Sequence, residues 1–282
     1  MSGVIKPQSI SHWYSKDGLP MYDIEKVKGG KRKTTIRDAR KYGWFPSVTS
    51  ILKIVDKPFL NAWIANQAIE ACMKVSQNKL DHLLDNGHDP LPLTDSDLPE
   101  IRRLSDEVSK TAREKGQRVH REIERIVRSL AEGKIMRPED SSLDRLTFLA
   151  FLDVYRNHTL RARLVEHSFA NKRYGFGGRL DWAGTGHIRP TDNRIRTTYL
   201  DYKTQNTKGK GEFTVYAETP CQLAAYAYGT GRSYADLGTV FIDTSIEGNV
   251  QLIYHPDNDD YFYAFLEAFR VWKGPLGKKY QV

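Results

Sequence analysis

The stretch "TTYLDYKTQ", residues 197–205, alternates in the way that predicts a β-strand, and the interpretation of the whole chain starts from it. Side chains alternate across a strand with period two, so Tyr199, Asp201 and Lys203 share one face. A strand in the middle of the chain therefore places an acid beside a base. Upstream, "GGRLDW" carries Asp181 on a segment that we expect to pair with this strand.

Two carboxylates on neighbouring strands repel each other unless a cation lies between them. Asp181 and Asp201 offer hard oxygen ligands, which suit Mg²⁺ or Mn²⁺ with phosphate oxygens as further ligands. Lys203 beside such a metal would orient or help deprotonate a water molecule and stabilise the charge on a phosphate. The pattern predicts a phosphodiester-cleaving site. Its alternative is a surface salt bridge on an exposed strand, which contributes little stability.

Composition sets wider limits. The chain has 282 residues, of which 39% are hydrophobic, enough for one large domain or a core with a smaller part. Its 43 Lys and Arg against 35 Asp and Glu favour polyanionic partners. Cys72 and Cys221 form neither a disulfide framework nor a metal-binding CxxC pair, which indicates a reducing compartment. No apolar run has membrane-span length and no targeting segment is recognisable, so we expect a soluble cytoplasmic protein without membrane partners.

Hydrophobic periodicity predicts a mixed α/β fold. Helical spacing covers "FLNAWIANQAIEACMKV", "KTAREKGQRVHREIERIVRSL" and residues 143–159. From Leu164 the period changes to two and predicts a strand meander that ends with "TTYLDYKTQ". The helix "CQLAAYAYG", the strands "LGTVFIDTS" and "NVQLIYHP", and a helix over 257–272 complete the prediction.

The N-terminal part has its own pattern. The basic stretch "KVKGGKRKTTIRDARK" predicts a charged hairpin or, alternatively, a solvated loop. Ser47 is placed as the N-cap of a short helix. The Pro- and Asp-rich segment 85–99 predicts a loop and a boundary, with an N-terminal extension of hairpin and helices over 1–98 and a core domain over 99–282.

Four motifs in order resemble the RecB-like branch of the PD-(D/E)XK nucleases. They are "GQRVHREIE" with His120, "GGRLD" with Asp181, "DYK" at 201–203, and "CQLAAYAYG" with Gln222 and Tyr226. Further upstream, "FPSVTSIL" and "FLNAW" are similar to the N-terminal part of mitochondrial genome maintenance exonucleases and related phage exonucleases. The second acidic position is Asp rather than Glu, which the branch allows. The cysteine set of its iron–sulfur members, which include CRISPR adaptation nucleases, is missing.

The resemblance implies a restriction-endonuclease-like core, with a central mixed sheet flanked by helices and an N-terminal helical extension. It implies that His120, Asp181, Asp201 and the Tyr202 carbonyl hold Mg²⁺ or Mn²⁺. The resemblance assigns catalysis to five residues: Asp181, Asp201, Lys203, Gln222 and Tyr226. Among them Lys203 acts on the water, and Gln222 and Tyr226 hold the DNA strand.

Several of these residues also have structural interpretations. His120 lies at the margin of a helix, where a histidine is commonly a boundary residue. Gln222 follows Thr219 and Pro220 in the spacing of a capping box, in which it would satisfy the start of the helix. Glu166 is a further candidate, as an outer or second-metal ligand.

DNA contacts are predicted on either side of this site. Arg113, Arg118 and Arg121 follow the helix of His120, while Lys208 and Lys210 follow the catalytic strand. The alternative is ordinary solvated charge.

The sequence therefore predicts a metal-dependent deoxyribonuclease, namely a single-strand-preferring exonuclease in replication, recombination or degradation of phage-like or organelle-like DNA. Its substrate would be single-stranded DNA or DNA with free ends, threaded under an arch formed by the N-terminal helices, with replication or recombination proteins as partners. The alternatives are a structure-specific endonuclease of the same fold and a catalytically silent DNA-binding recombination module. A zinc hydrolase is disfavoured because the eight histidines form no HExxH or His-x-His cluster.

Overall fold

A computed structural model of the chain describes residues 12–26, 29–55, 58–86 and 92–280. Its helices are α1 (Ile36–Tyr42), α2 (Val48–Ile51), α3 (Pro58–Asn86), α4 (Leu98–Ala131), α5 (Arg145–Asn157), α6 (Glu218–Gly229) and α7 (Asn258–Lys273). Its strands are β1 (Trp13–Tyr14), β2 (Asp23–Glu25), β3 (Lys31–Lys33), β4 (Phe45–Pro46), β5 (Arg161–Asn171), β6 (Phe176–Gly186), β7 (Arg196–Gln205), β8 (Asp236–Asp243) and β9 (Val250–His255). The predicted mixed α/β class is confirmed.

The main sheet has five strands in the order β5-β6-β7-β8-β9. Only β7 and β8 run parallel, and α6 lies in the connection between them. The predicted pairing of the two aspartate strands is confirmed, with Trp182 opposite Leu200 in the antiparallel β6–β7 ladder. Strand β8 is buried along its whole length, as expected for an interior strand covered on both faces.

Aromatic side chains link this sheet to the helices that cover it. Phe176 at the start of β6 makes an edge-to-face contact with Phe265 of α7, with ring centroids 4.9 Å apart. Phe169 of β5 makes a similar contact with Tyr226 of α6. Edge-to-face pairs add to the hydrophobic stabilisation of burial. The core therefore fixes α6 against the strands that carry the acidic residues.

The N-terminal segment adds two small ladders. Strand β1 pairs with β4, and β2 pairs with β3 in a hairpin, so the hairpin interpretation of the basic stretch is confirmed for its described residues; Val27 and Lys28 lie outside them. Ser47 caps α2 as predicted, because its hydroxyl accepts the Ser50 N–H at 3.0 Å. The cap satisfies one of the backbone donors that a helix start leaves unpaired.

The chain divides into two compact units, one formed by residues 1–55 and 120–282 and the other by residues 56–119. These divisions differ from the predicted boundary at residue 98. The smaller unit is helical and has its own cluster of Ala71, Val75 and Ile101. Within it, Lys79 Nζ lies 2.6 Å from Asp97 Oδ2.

The predicted loop over 85–99 is too long at both ends. Helix α3 continues to Asn86 and α4 begins at Leu98, after a 3₁₀ turn over Asp95–Asp97; residues 87–91 of the predicted loop lie outside the described residues. Thr94 and Asp97 form a capping box, so this segment starts a helix where its Pro and Asp content suggested a loop. Among the helices of the described ranges, none combines the length and apolar character needed to cross a bilayer.

Candidate metal and catalytic site

The candidate site lies on one part of the main sheet, where β6 and β7 separate. Their ladder extends from Gly186 to Trp182, and the next residue on β6 is Asp181. The Asp181 carboxylate takes the place of a ladder partner, because its Oδ2 accepts the Tyr202 N–H at 3.1 Å. Asp181 therefore turns toward β7, where Asp201 lies in the sequence position that continues the register.

Asp201 is 2% exposed and has two side-chain partners. Gln222 Nε2 donates to its Oδ1 at 2.8 Å. Lys203 Nζ lies 2.8 Å from Oδ2, in an ion pair without an aligned hydrogen bond. The predicted acid–base pair on β7 is thus a direct contact, and the Lys203 side chain is 37% exposed.

Three other side chains converge beside this pair. Ligand atoms of His120, Glu166 and Asp181 all lie within 4.8 Å of one another. They come from α4, β5 and β6, so the group depends on the assembled fold. Glu166 has a φ of +51°, a left-handed conformation that is strained for a non-glycine residue in a strand. It occupies the β5 position that faces Asp181, between the ladder pairs Val165–Trp182 and His167–Leu180.

A hydrogen bond to the backbone orients His120. Its Nε2 lies in hydrogen-bond contact with the Tyr202 carbonyl oxygen. Because a carbonyl only accepts, Nε2 carries the proton and donates, which leaves Nδ1 facing Asp181 Oδ2 at 3.9 Å. The carbonyl that was predicted as a metal ligand thus has a protein partner, although its second lone pair remains.

Burial and like charge dominate the electrostatics of the acids. Burial, reinforced by the charge of Asp201, raises the pKa of Asp181 to about 7. Burial also raises the pKa of Glu166, although Arg179 Nε lies 2.5 Å from its Oε2 and opposes the shift. For Lys203 burial lowers the pKa, but the charges of Asp201 and Asp181 outweigh it and raise the pKa above its usual value. Lys203 is therefore a protonated ammonium at neutral pH.

The capping-box interpretation of Gln222 is wrong. Helix α6 begins at Glu218, and its N-cap Ala217 makes no side-chain cap. The Gln222 amide instead donates to Asp201, 21 residues away in the sequence. One turn later Tyr226 is 3% exposed, and Gly178 makes room for its ring, since a Cβ on that glycine would lie 2.8 Å from Tyr226 Cε1.

The predicted DNA-contacting residues fall in two places. Arg113 and Arg118 are exposed on α4 within the smaller unit, and Arg121 is exposed on the same helix within the larger unit. Lys208 and Lys210 are exposed in the turn after β7, where Lys208 has a φ of +54°. No acidic ion-pair partner of these five side chains occurs in the part of the chain that the structure describes.

The donor chemistry of the group fits a divalent cation. Two carboxylates and one imidazole supply hard oxygen ligands with a nitrogen, a set compatible with Mg²⁺ or Mn²⁺. Asp181 accepts one hydrogen bond among the described residues, fewer than its two oxygens can take. Burial and the charge of Asp201 raise its pKa, and the neighbouring His120 and Lys203 offset this rise only in part.

Sequence reasoning missed Arg179, which pairs with Glu166, and Tyr22, whose side chain interacts with that of Arg179. The signal for Arg179 was available, because it lies two residues before Asp181 on one strand and period two places both on one face. The role of Tyr22 had no local signal. It depends on contact between segments far apart in the sequence.

Comparison with known proteins adds no family assignment, since no family model matches the chain and no curated protein sequence is significantly similar to it.

Proposed function

We propose that the protein is a metal-dependent deoxyribonuclease that hydrolyses DNA phosphodiester bonds, with Mg²⁺ or Mn²⁺ as cofactor. One observation carries the proposal: five elements of the fold bring His120, Glu166, Asp181, the Asp201–Lys203 pair and Gln222 to one place. A surface salt bridge would not account for the 2% exposure of Asp201 or for its amide partner.

The metal would be held by His120, Glu166 and Asp181, with Asp201 and the Tyr202 carbonyl as the further ligands that the family resemblance implies. When bound, such a cation neutralises charge on a phosphate and makes a water molecule more acidic. Glu166, which the sequence suggested as an outer or second-metal ligand, is proposed here as one of the three grouped metal ligands.

The residues of the chain supply the remaining interactions. Lys203, held by Asp201, is an ammonium that stabilises the negative charge developing on the phosphate. Lys203 also acts on the attacking water, which it would orient beside the metal. Gln222 fixes the Asp201 carboxylate and so positions Lys203 indirectly. Tyr226, one turn after Gln222 on α6 and 3% exposed, is the residue that we assign with Gln222 to holding the DNA strand.

Within this proposal the protein is a single-strand-preferring exonuclease with a restriction-endonuclease-like core. The five-stranded mixed sheet and its flanking helices are compatible with that core. The preference for free ends rests on the family resemblance, as do the proposed roles in replication, recombination or degradation.

The test is a cleavage assay with end-labelled linear single strands, linear duplexes and closed single-stranded circles, each with Mg²⁺, with Mn²⁺ and with EDTA. We expect linear single strands to be shortened from an end with either metal, and circles to survive. Cleavage of circles would indicate the endonuclease of the same fold. Binding without cleavage under every condition would contradict the proposed activity and indicate the silent DNA-binding module.

A further inference from the structure

A basic surface of the N-terminal segment lies outside the candidate site. Residues 31–41 contain six Lys and Arg and one acid, Asp38. They form β3 and α1, which line an open groove of about 770 Å³ together with Lys278 from the C-terminal 3₁₀ turn. The lining side chains are Arg32, Thr35, Ile36, Arg37, Asp38, Arg40 and Lys278.

Only part of this positive charge has a structural role. Arg32 donates two hydrogen bonds of 2.7 Å to the buried Asp38, which also accepts the Thr35 N–H and so caps α1. By contrast, Arg37 and Arg40 are exposed, and the described part of the chain offers neither of them an acidic partner. Cations that the fold does not need are available to an external anion.

Aromatic rings border the same surface. Tyr42, at the end of α1, is 47% exposed and stacks on Trp44, with ring centroids 5.1 Å apart. Lys41 Nζ lies 5.1 Å from the centroid of the Tyr42 ring. An exposed ring such as Tyr42, held in place by the half-buried Trp44 and set among cations, can bind an unpaired base together with its phosphate.

A chain of contacts ties this surface to the candidate site. The hairpin begins after Tyr22, whose carbonyl accepts the Thr34 N–H at 3.1 Å and whose side chain interacts with that of Arg179. Arg179 is the partner of Glu166, one of the three grouped ligands. The basic hairpin, α1 and the candidate site therefore belong to the same compact unit, so a DNA strand bound at the site could also contact this surface.

We propose that this basic surface, through Arg37 and Arg40 of the groove and Tyr42 at the end of α1, binds the sugar–phosphate backbone and one or more unpaired bases of a single-stranded nucleic acid. The inference deepens the proposed function and rests on nucleic acid being the substrate. It adds a binding surface on residues 31–44 that is separate from the cations predicted on α4 and after β7.

The experiment measures binding of a fluorescein-labelled (dT)₂₀ by anisotropy, in EDTA, over a series of salt concentrations. For a single strand, log K falls with log salt by roughly 0.7 per phosphate contact. The variant Arg37→Ala/Arg40→Ala should therefore reduce the slope by roughly 1.4, with weaker binding at all but the highest salt. The matched control Arg145→Ala/Arg156→Ala removes two exposed arginines of α5 and should leave the slope unchanged. Equal slopes for both double variants would overturn the proposal.

A second pair of variants tests the stacking. Tyr42→Ala should weaken (dT)₂₀ binding about fivefold or more, while Tyr42→Phe keeps the ring and should bind as the parent does. If both tyrosine variants bind as the parent, stacking is refuted. Binding to phosphatidylserine vesicles without binding to (dT)₂₀ would also overturn the proposal, because the surface would then serve a membrane.

These outcomes remain separate from the proposed catalytic function. Binding in EDTA that depends on Arg37 and Arg40, in a chain that never cleaves DNA with Mg²⁺, would refute the nuclease and support the groove. DNA cleavage with Mg²⁺, together with a salt slope that is unchanged in Arg37→Ala/Arg40→Ala, would support the nuclease and refute the groove.

Discussion

Two aspartates at the main sheet differ in how fully the fold satisfies them. Asp243, at the end of β8, accepts hydrogen bonds from the Thr207 and Ser245 backbones and hydroxyls and from the Asn249 amide. Asp181, on β6, accepts one from the Tyr202 N–H among the described residues. Although burial raises the pKa of Asp243, these hydrogen bonds hold it well below its usual value, whereas burial raises that of Asp181 to about 7.

The difference separates two uses of a buried acid. Asp243 closes the turn that follows β7, and its donors replace the water it lost. Asp181 is left with unfilled acceptor capacity beside Glu166 and His120, which costs stability unless a cation binds. A buried acid that lacks hydrogen-bond donors is therefore a better indication of a functional site than burial alone.

The largest expected effect is the loss of DNA cleavage when Lys203, the partner of Asp201, is replaced. Lys203→Ala removes the ammonium beside Asp201, and we expect cleavage to fall by about 100- to 1,000-fold or more while DNA binding stays measurable. Single-turnover assays on labelled single strands measure it. The control Lys172→Ala removes a lysine that is 66% exposed and pairs with Asp17, and should cleave as the parent does. Unchanged cleavage by the Lys203 variant would refute the role assigned to this residue.

The next largest effect is on the free energy of unfolding when Asp243, the fully hydrogen-bonded aspartate, is replaced. In Asp243→Asn an NH₂ group faces donors that previously met a carboxylate oxygen, so we expect a loss of about 2 to 4 kcal/mol of unfolding free energy at pH 7. Urea titration measures it. The parent's advantage should shrink as the pH falls below about 4, since a depressed folded-state pKa stabilises only where the acid is ionised. A variant as stable as the parent would show that the hydrogen bonds accepted by Asp243 do not stabilise the fold.

The same substitution at the other acid should act in the opposite direction. A carboxyl group with a raised folded-state pKa destabilises progressively as the pH rises from about 4 through 7, because over this range the unfolded state releases a proton that the native state still holds. In EDTA at pH 8 we therefore expect Asp181→Asn to be more stable than the parent by about 1 to 3 kcal/mol, with no difference near pH 4. Added Mg²⁺ should stabilise the parent more than the variant. Loss of stability at pH 8 would contradict the incomplete charge compensation.

The smallest effect concerns His255, a buried side chain that bonds to Thr239 Oγ1 at 2.8 Å and interacts with the charge of Asp201. Burial lowers its pKa to about 4, so its contribution to stability is present above about 6.5 and lost as the pH falls toward 4. His255→Gln should flatten that acid limb by about 1 to 2 kcal/mol in a urea titration at each pH. An unchanged limb would show that burial alone does not shift such a group.

Much of the sheet could be predicted from sequence, because alternation and turn residues are local. The pairing of the strands carrying Asp181 and Asp201 followed from a short intervening turn, and period two placed Lys203 beside Asp201. The role of Gln222 could not follow from local pattern. Its spacing from Thr219 satisfies a capping box as well as a site contact, and only the packing of α6 against β7 decides between them.

Other parts of the site depend on conformation that sequence does not reveal. Glu166 faces Asp181 from a left-handed backbone, which no propensity predicts for a glutamate in a strand. The ends of α3 and α4 were missed because Pro and Asp serve helix starts as well as loops. The division at residues 56–119 follows from long-range contacts, whereas composition pointed to residue 98.

The parallel pairing of β7 with β8 also bears on the order of folding. Strands β5, β6 and β7 form a local meander, but β8 joins only after residues 206–235 have been bridged, a closure that is slow relative to hairpin formation. Gln222 lies within that bridge, so the carboxylate of Asp201 gains its amide partner late. The acids of β5, β6 and β7 therefore come together before the Gln222 amide that holds Asp201 is in place.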